Sequence, residues 1–259
     1  MLLIRKPGFP QFQQEFDQMR KEIKHLEWDS LFFGFKVGKV EGQAMNQEEL
    51  MCFSQEAKVD NYVLLYLFLD TQIASDIVHR FGQITLIDKK VTYTQKVITS
   101  INWHSVKHST LIRRVHEKQP SEKLIKLAIQ SGEFSRFRLD ERIEEGKFKE
   151  LYVRWISNAL SGQSTEEAWQ WNENNETLGF ITLSTKSDRV EIGLLAVDNY
   201  ARGRGIGKAL VEKALHITYL RKIDLLQVVT QKQNATACRF YQNNGFSEQN
   251  VKFVYHLWL

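Results

Sequence analysis

The sequence predicts a mixed α/β fold, and three observations carry that expectation. An apolar strand, Glu191 to Val197, runs through a turn with three alternating glycines into an amphipathic helix. A second strand, Leu225 to Thr230, leads into a short helix from Ala235 and then a last apolar segment ending at Leu259. The first half of the chain shows the order strand, helix, strand on its own, beginning at Tyr62. At 259 residues the chain can bury a full core and form one large or two small domains.

In the first half, Leu26 to Gly38 is rich in aromatic residues, and Trp28, Phe32 and Phe33 are expected to pack into the core from a first strand. Tyr62 to Leu69 reads as a buried strand, Ile73 to Arg80 as a short helix, and Ile84 to Ile87 plus Val91 to Val97 as two further strands. The spacing from Ala74 to Val91 matches that from Ala235 to Val251 within one residue. Two explanations stand side by side: a degenerate internal half-repeat, or a strand, helix and hairpin order that recurs in many α/β proteins by chance. Segment Ile101 to Ser121, basic and polar, reads as a linker, which divides the chain into domains at 1–115 and 122–259.

The second half opens with a helix from Phe148 to Leu160. Strands follow around Glu167 to Glu173, Leu178 to Thr185 and Arg189 to Val197, separated by turns at Asn172 to Glu176 and Lys186 to Asp188. Ile206, Leu210, Val211, Ala214, Leu215 and Leu220 recur at helical spacing after the glycine turn. A final pair of strands is expected around Phe246 and Val251 to Leu259.

Composition narrows the function classes. Net charge is +4 with a sequence pI near 8.9, yet acids and bases are interspersed and Lys/Arg form no long runs with interleaved aromatics. That argues against nucleic acid, and mild basicity suits steering of phosphorylated small molecules. The longest apolar run, Tyr62 to Leu69, is far below the roughly 20 residues of a membrane span, and Met1 to Lys6 lacks a signal-peptide layout. The expectation is a soluble cytoplasmic protein without membrane insertion. Cys52 and Cys238, well apart, fit a reducing compartment, and His104, His108 and His116 match no standard zinc spacing, so no metal is expected.

The turn Arg202-Gly203-Arg204-Gly205-Ile206-Gly207-Lys208 carries the strongest chemical signal. Its glycines let backbone approach a ligand closely, and amides from Arg204 to Lys208 would form the donor-rich, positive end of a helix, which suits a pyrophosphate. The order fits neither a Walker loop, since Lys208 is followed by Ala209, nor a dinucleotide fingerprint. Taken alone, such a cluster is as often a plain turn. Further on, Asn234 is suited to cap a helix and Gly245 to end it.

Arg202-x-x-Gly205-x-Gly207, followed in order by Asn234, Tyr241 and Gly245-Phe246, resembles the acyl-CoA signature of the GCN5-related N-acetyltransferase (GNAT) superfamily. The resemblance implies a GNAT fold, a mixed central sheet flanked by helices, here with a smaller N-terminal α/β domain. It implies acetyl-CoA as co-substrate, held by Leu194, Leu195, Ala196 and Val197, by Arg202, Gly203, Arg204, Gly205, Ile206, Gly207 and Lys208, and by Asn234 and Tyr241. Direct attack by an amine is implied, with a strand bulge near Leu194-Leu195 turning a backbone N–H toward the thioester oxygen and Tyr241 protonating the leaving thiolate. The first-half unit lacks the glycine loop, the capping Asn and the Tyr, so it is expected not to bind CoA by these means.

For the acceptor, Leu26 to Gly38, Glu191 to Val197, Val229 to Gln231 and Tyr255 to Leu259 resemble the dTDP-fucosamine N-acetyltransferase branch, which implies a dTDP-linked amino sugar. The middle of the chain is longer than the minimal form of that branch. Glu133, Ser135, Arg136, Arg138, Tyr152, Arg154 and Trp155 lie where the superfamily builds its acceptor pocket, with Arg136, Tyr152 and Arg154 the leading candidates and the arginines able to clamp a diphosphate. Glu191 could take the amine proton through water, but a solvated strand glutamate is the simpler account. Two alternatives remain: the same chemistry on a peptide N-terminus or aminoglycoside, and a non-catalytic CoA-binding module. An apolar C-terminal strand is also compatible with a homodimer.

Overall fold

The structure, a computed structural model, describes residues 21–97, 110–161 and 166–259. In chain order the first half contains β1 (Lys24–His25), α1 (Glu27–Phe33), β2 (Lys36–Gly42), α2 (Gln47–Val59), β3 (Tyr62–Leu69), α3 (Ser75–Phe81) and β4 (Ile84–Lys96). The second contains β5 (Ile112–Arg114), α4 (Glu122–Ser131), α5 (Arg136–Leu139), α6 (Glu145–Leu160), β6 (Glu166–Glu173), β7 (Glu176–Thr185), β8 (Val190–Val197), α7 (Ile206–Leu220), β9 (Leu225–Gln231), α8 (Ala235–Asn243) and β10 (Ser247–Trp258). The chain divides into two compact units, one built of residues up to Leu86 with Phe253–Leu259, the other of Ile87–Lys252. The division falls inside β4 rather than at the expected linker. Of that linker, 101–109 lie outside the described residues, as do His104 and His108, and Ile112–Arg114 forms β5.

In the first unit β2 and β3 run parallel along their whole length, from Lys36↔Tyr62 to Gly42↔Leu69, with α2 as the crossover. Phe253 to Trp258 pairs antiparallel with β3, and Ile73 donates its N–H to the Tyr255 hydroxyl at 2.8 Å. Val254, Tyr255 and Leu257 are buried there, so the apolar character of the C-terminal strand is accounted for within the chain. Trp28, Phe32 and Phe33 belong to a helix, not to the expected first strand. Trp28 stacks on Phe32 one turn away, ring centroids 5.3 Å apart, and Gly34 ends the helix in the left-handed region at φ 79°. The two strands expected on either side of Asp88-Lys89-Lys90 are one, β4, because that polar triplet stays extended.

The second unit orders its strands β4-β9-β8-β7-β6-β5. β6 and β7 form a hairpin whose Asn174 and Asn175 both take positive φ, the requirement of a tight primed turn. Helices α4 and α6 pack with Ala168, Phe180 and Ala196 on one face. Helix α7 covers the other, where Ile206, Leu210, Val211, Ala214 and Leu215 join Ile181, Leu183, Ile192 and Val228. Leu220, expected on that apolar stripe, is exposed at the helix end. The expected final pair of strands is the single β10, with Phe246 buried just before it.

Candidate active site

The site starts from an irregularity in β8. Between the pairs Ile181↔Leu195 and Leu183↔Ile192, β7 has one residue and β8 has two, Gly193 and Leu194. This is a β-bulge, one residue earlier than expected, and it reverses which face successive side chains take. Val190 and Ile192 face α7, whereas Leu194 and Ala196 face α4 and α6. The Leu194 N–H, displaced from the ladder, donates to the buried Thr182 hydroxyl at 2.8 Å. On the other side of β8 the parallel pairing with β9 ends at Ile192↔Val228, while pairing with β7 continues to Val197↔Gly179. The strands therefore part from Gly193 onward. At the far end, Gln130 of α4 donates to the Val197 carbonyl at 3.0 Å.

Past β8 the chain enters the glycine turn. Gly203 and Gly205 both lie at φ 79°, and a Cβ at either would meet nothing within 4 Å, so the turn is open to a ligand. Gly205 caps α7 without any side-chain hydrogen bond, and the first intrahelical bond there runs from Ala209 N–H to the Gly205 carbonyl. The amides before it remain donors for an anion. Gly207 serves packing: a Cβ there would stand 3.1 Å from the Phe240 ring. Around the turn, Arg204 pairs with Glu173 at 2.6 Å, Lys208 lies 3.8 Å from Glu212, and Arg202 is exposed. The turn from β2 into α2 in the first unit differs in kind. Asn46 and Glu49 form a capping box that takes up donors at the start of α2, and β2 never parts from β3.

A cavity of about 300 Å³ lies where β8 leaves β9. Gly193, Leu194 and Leu195 line it, with Val228 to Gln231 of β9 and Asn234, Ala237 and Tyr241 at α8. From the α4 to α6 side come Ser131, Ser135, Arg136, Phe137, Tyr152 and Trp155, and from β4 come Asp88 and Lys90. Tyr241 is buried against Tyr93, Phe240 and Phe246, and burial pushes its phenol above the ordinary range, with Cys238 adding to the shift. Burial likewise raises the Tyr152 phenol to about 12. Asn234 has the expected capping role, its side chain accepting the Ala237 N–H at 3.0 Å. Asp88 is 4% exposed, and burial lifts its carboxyl to about 6 against the opposing pull of Arg136 and Lys90.

Thus Leu194, Leu195, Asn234, Tyr241, Arg136 and Tyr152 meet at one cavity, and the Arg202 to Lys208 turn follows the outer end of β8. Arg154 does not line the cavity. It lies on the exposed side of α6, 2.6 Å from Glu150, as an i,i+4 helix pair. Glu133 and Arg138 are also outside its lining, and Glu191 is held by Arg189 at 2.7 Å and by Gln227. Sequence reasoning passed over Asp88. The signal was a charged triplet within an apolar β run, which reads as a chain break until β4 is seen to be continuous. Among the described residues no group of three or more His, Cys, Asp or Glu side chains is arranged to hold a metal ion.

Residues 128–246 match the acetyltransferase (GNAT) family model. The spore coat polysaccharide biosynthesis protein SpsD of Bacillus subtilis is 25% identical over 142 residues, 55% of this chain and 49% of that protein. The dTDP-fucosamine acetyltransferase of Escherichia coli O6:H1 is 29% identical over 105 residues, 40% of this chain and 44% of that protein. The matched segments thus span less than half of either relative. A functionally unknown conserved protein from Staphylococcus epidermidis has a similar fold, with TM-score 0.64 at 14% identity, covering 92% of this chain and 90% of that one.

Proposed function

We propose that the protein is an N-acetyltransferase that moves an acetyl group from acetyl-CoA to the amine of a nucleotide-linked amino sugar, a dTDP sugar foremost. One observation carries the donor half: the parting of β8 from β9 at Gly193 opens a cavity in the same strand that leads into the uncapped amino end of α7. A long thiol cofactor with a pyrophosphate needs both a donor-rich helix end and a slot for its arm. In this reading the amides from Arg204 to Lys208, with Arg202, hold the pyrophosphate. Leu194 to Val197 and Asn234 hold the arm, and the Leu195 N–H faces the thioester oxygen as charge develops there.

Tyr241 serves as general acid. Its burial keeps the phenol protonated through neutral pH, so it donates to sulfur as negative charge builds during C–S cleavage. Arg136 and Tyr152 belong to the acceptor side. The relatives named for polysaccharide biosynthesis and for dTDP-fucosamine support the sugar class, and the two free cysteines fit a reducing, cytoplasmic setting.

The test is release of free CoA from acetyl-CoA by the purified protein with dTDP-4-amino-4,6-dideoxygalactose, its gluco epimer, and peptide and aminoglycoside amines. Turnover confined to a dTDP-amino sugar is the expected result. Turnover on a peptide or aminoglycoside alone overturns the acceptor. Acetyl-CoA binding without turnover on any amine returns the protein to a CoA-binding module.

A further inference from the structure

We propose that Asp88 is the proton acceptor for the attacking amine, an inference that rests on the acetyl-transfer reading above. Asp88 sits on β4 and lines the cavity together with Gly193, Leu194, Leu195 and Tyr241. It is 4% exposed, and its Oδ1 has no hydrogen-bond partner, while the carboxylate is held by the backbone N–H of Lys89. A buried carboxylate oxygen without a donor is costly in a finished fold, and it is the arrangement expected where the donor arrives with a ligand. The groups facing it are Arg136 of α5, Lys90 of β4 and the Tyr152 phenol of α6, and despite the two cations burial keeps its proton affinity near 6. That value suits a base that must accept a proton near neutral pH and release it again. Glu191, the other carboxylate on a strand of the site, is engaged by Arg189 and does not line the cavity.

The step balances. The acceptor ammonium gives one proton to the Asp88 carboxylate, and the freed lone pair forms the N–C bond to the thioester carbon. Collapse of the tetrahedral adduct breaks the C–S bond, and the thiolate takes the Tyr241 proton. The second proton on the new amide nitrogen restores the Tyr241 phenol, and Asp88 releases the first to solvent after product departs. Each turnover yields amide, CoA thiol and one proton.

The test compares wild type, Asp88→Asn and Asp88→Glu with acetyl-CoA and dTDP-4-amino-4,6-dideoxygalactose. Acetyl-CoA affinity and kcat are read from about pH 5 to 9. The expected result is an acidic limb in the wild-type kcat profile and a fall of about 10²-fold or more at pH 7 in Asp88→Asn, with that limb lost and acetyl-CoA affinity kept. Asp88→Glu retains a titrating limb at reduced rate, and it carries the comparison if the Asn variant no longer binds acetyl-CoA. An Asp88→Asn enzyme within about threefold of wild type, limb unchanged, overturns the inference and leaves the acetyl-transfer reading standing. A wild type that binds acetyl-CoA but acetylates no amine overturns both.

Discussion

A Cβ built on Gly132 would stand 2.3 Å from Cζ of Tyr152 and 2.7 Å from its hydroxyl. The turn after α4 thus lacks a side chain so that the phenol of α6 can lie against the backbone and line the cavity. Gly132 itself has an ordinary φ of −92°, so the requirement is space and not backbone freedom. Gly132→Ala must therefore move the ring or the turn. The expected cost is about 1–3 kcal/mol in stability, as for other overpacked sites. Acceptor KM rises while acetyl-CoA affinity stays within about twofold, since the donor residues lie on other elements. Denaturant melts and isothermal titration with acetyl-CoA check both halves.

The glycine turn makes a paired comparison available. Gly205 and Gly34 share φ 79° and open surroundings, but only Gly205 stands at the uncapped start of α7. Alanine at either position brings about 1–2 kcal/mol of left-handed strain. Gly205→Ala is expected to weaken acetyl-CoA binding about tenfold or more, whereas Gly34→Ala lowers stability without changing that affinity. Equal affinities in the two variants, measured by titration calorimetry, would remove the turn from the donor site.

Tyr241 packs through its ring, and in the proposed reaction its hydroxyl supplies the proton. Tyr241→Phe keeps the contacts with Tyr93 and Phe246 and deletes the proton, so kcat is expected to fall about 10²-fold with acetyl-CoA affinity nearly unchanged. Because burial holds the wild-type phenol above its ordinary value of 10.0, no alkaline loss of activity from this group is expected below about pH 10. A stopped assay across pH 7 to 10 tests that sign; a Phe variant as fast as wild type rules Tyr241 out as the acid.

Asp88 also links site to stability. Its carboxyl titrates near 6 in the folded protein against an ordinary value of 3.8. Below about pH 4 it is neutral in both states, so its burial is tolerated there; as pH rises through 6 the folded state must hold the charge, and stability is lost. Asp88→Asn is therefore expected to be more stable than wild type at pH 8, by on the order of 2–3 kcal/mol, with the difference fading toward pH 4. Thermal melts at both pH values decide it, and a variant less stable at pH 8 would contradict the burial argument.

The sequence by itself determined what depends on near neighbours in the chain. Glycines 203 and 205, the Asn234 cap, the Asn174-Asn175 turn and the apolar stripe of α7 are local in origin, because backbone freedom, capping and 3.6-residue periodicity act within a few residues. The bulge was expected, to within one residue, only through the family resemblance; the strand pairing places it at Gly193-Leu194. Trp28 and Phe32 were misread because a short aromatic run has no period of its own, and only the i,i+4 stacking and the Gly34 cap reveal a helix. Tertiary structure alone decided the rest. It carried β4 unbroken through Asp88, seated Tyr152 over Gly132, turned Arg154 outward to Glu150, and moved the unit boundary to Leu86. Those outcomes depend on residues far apart in sequence competing for the same space and the same buried charges, and no local pattern encodes that competition.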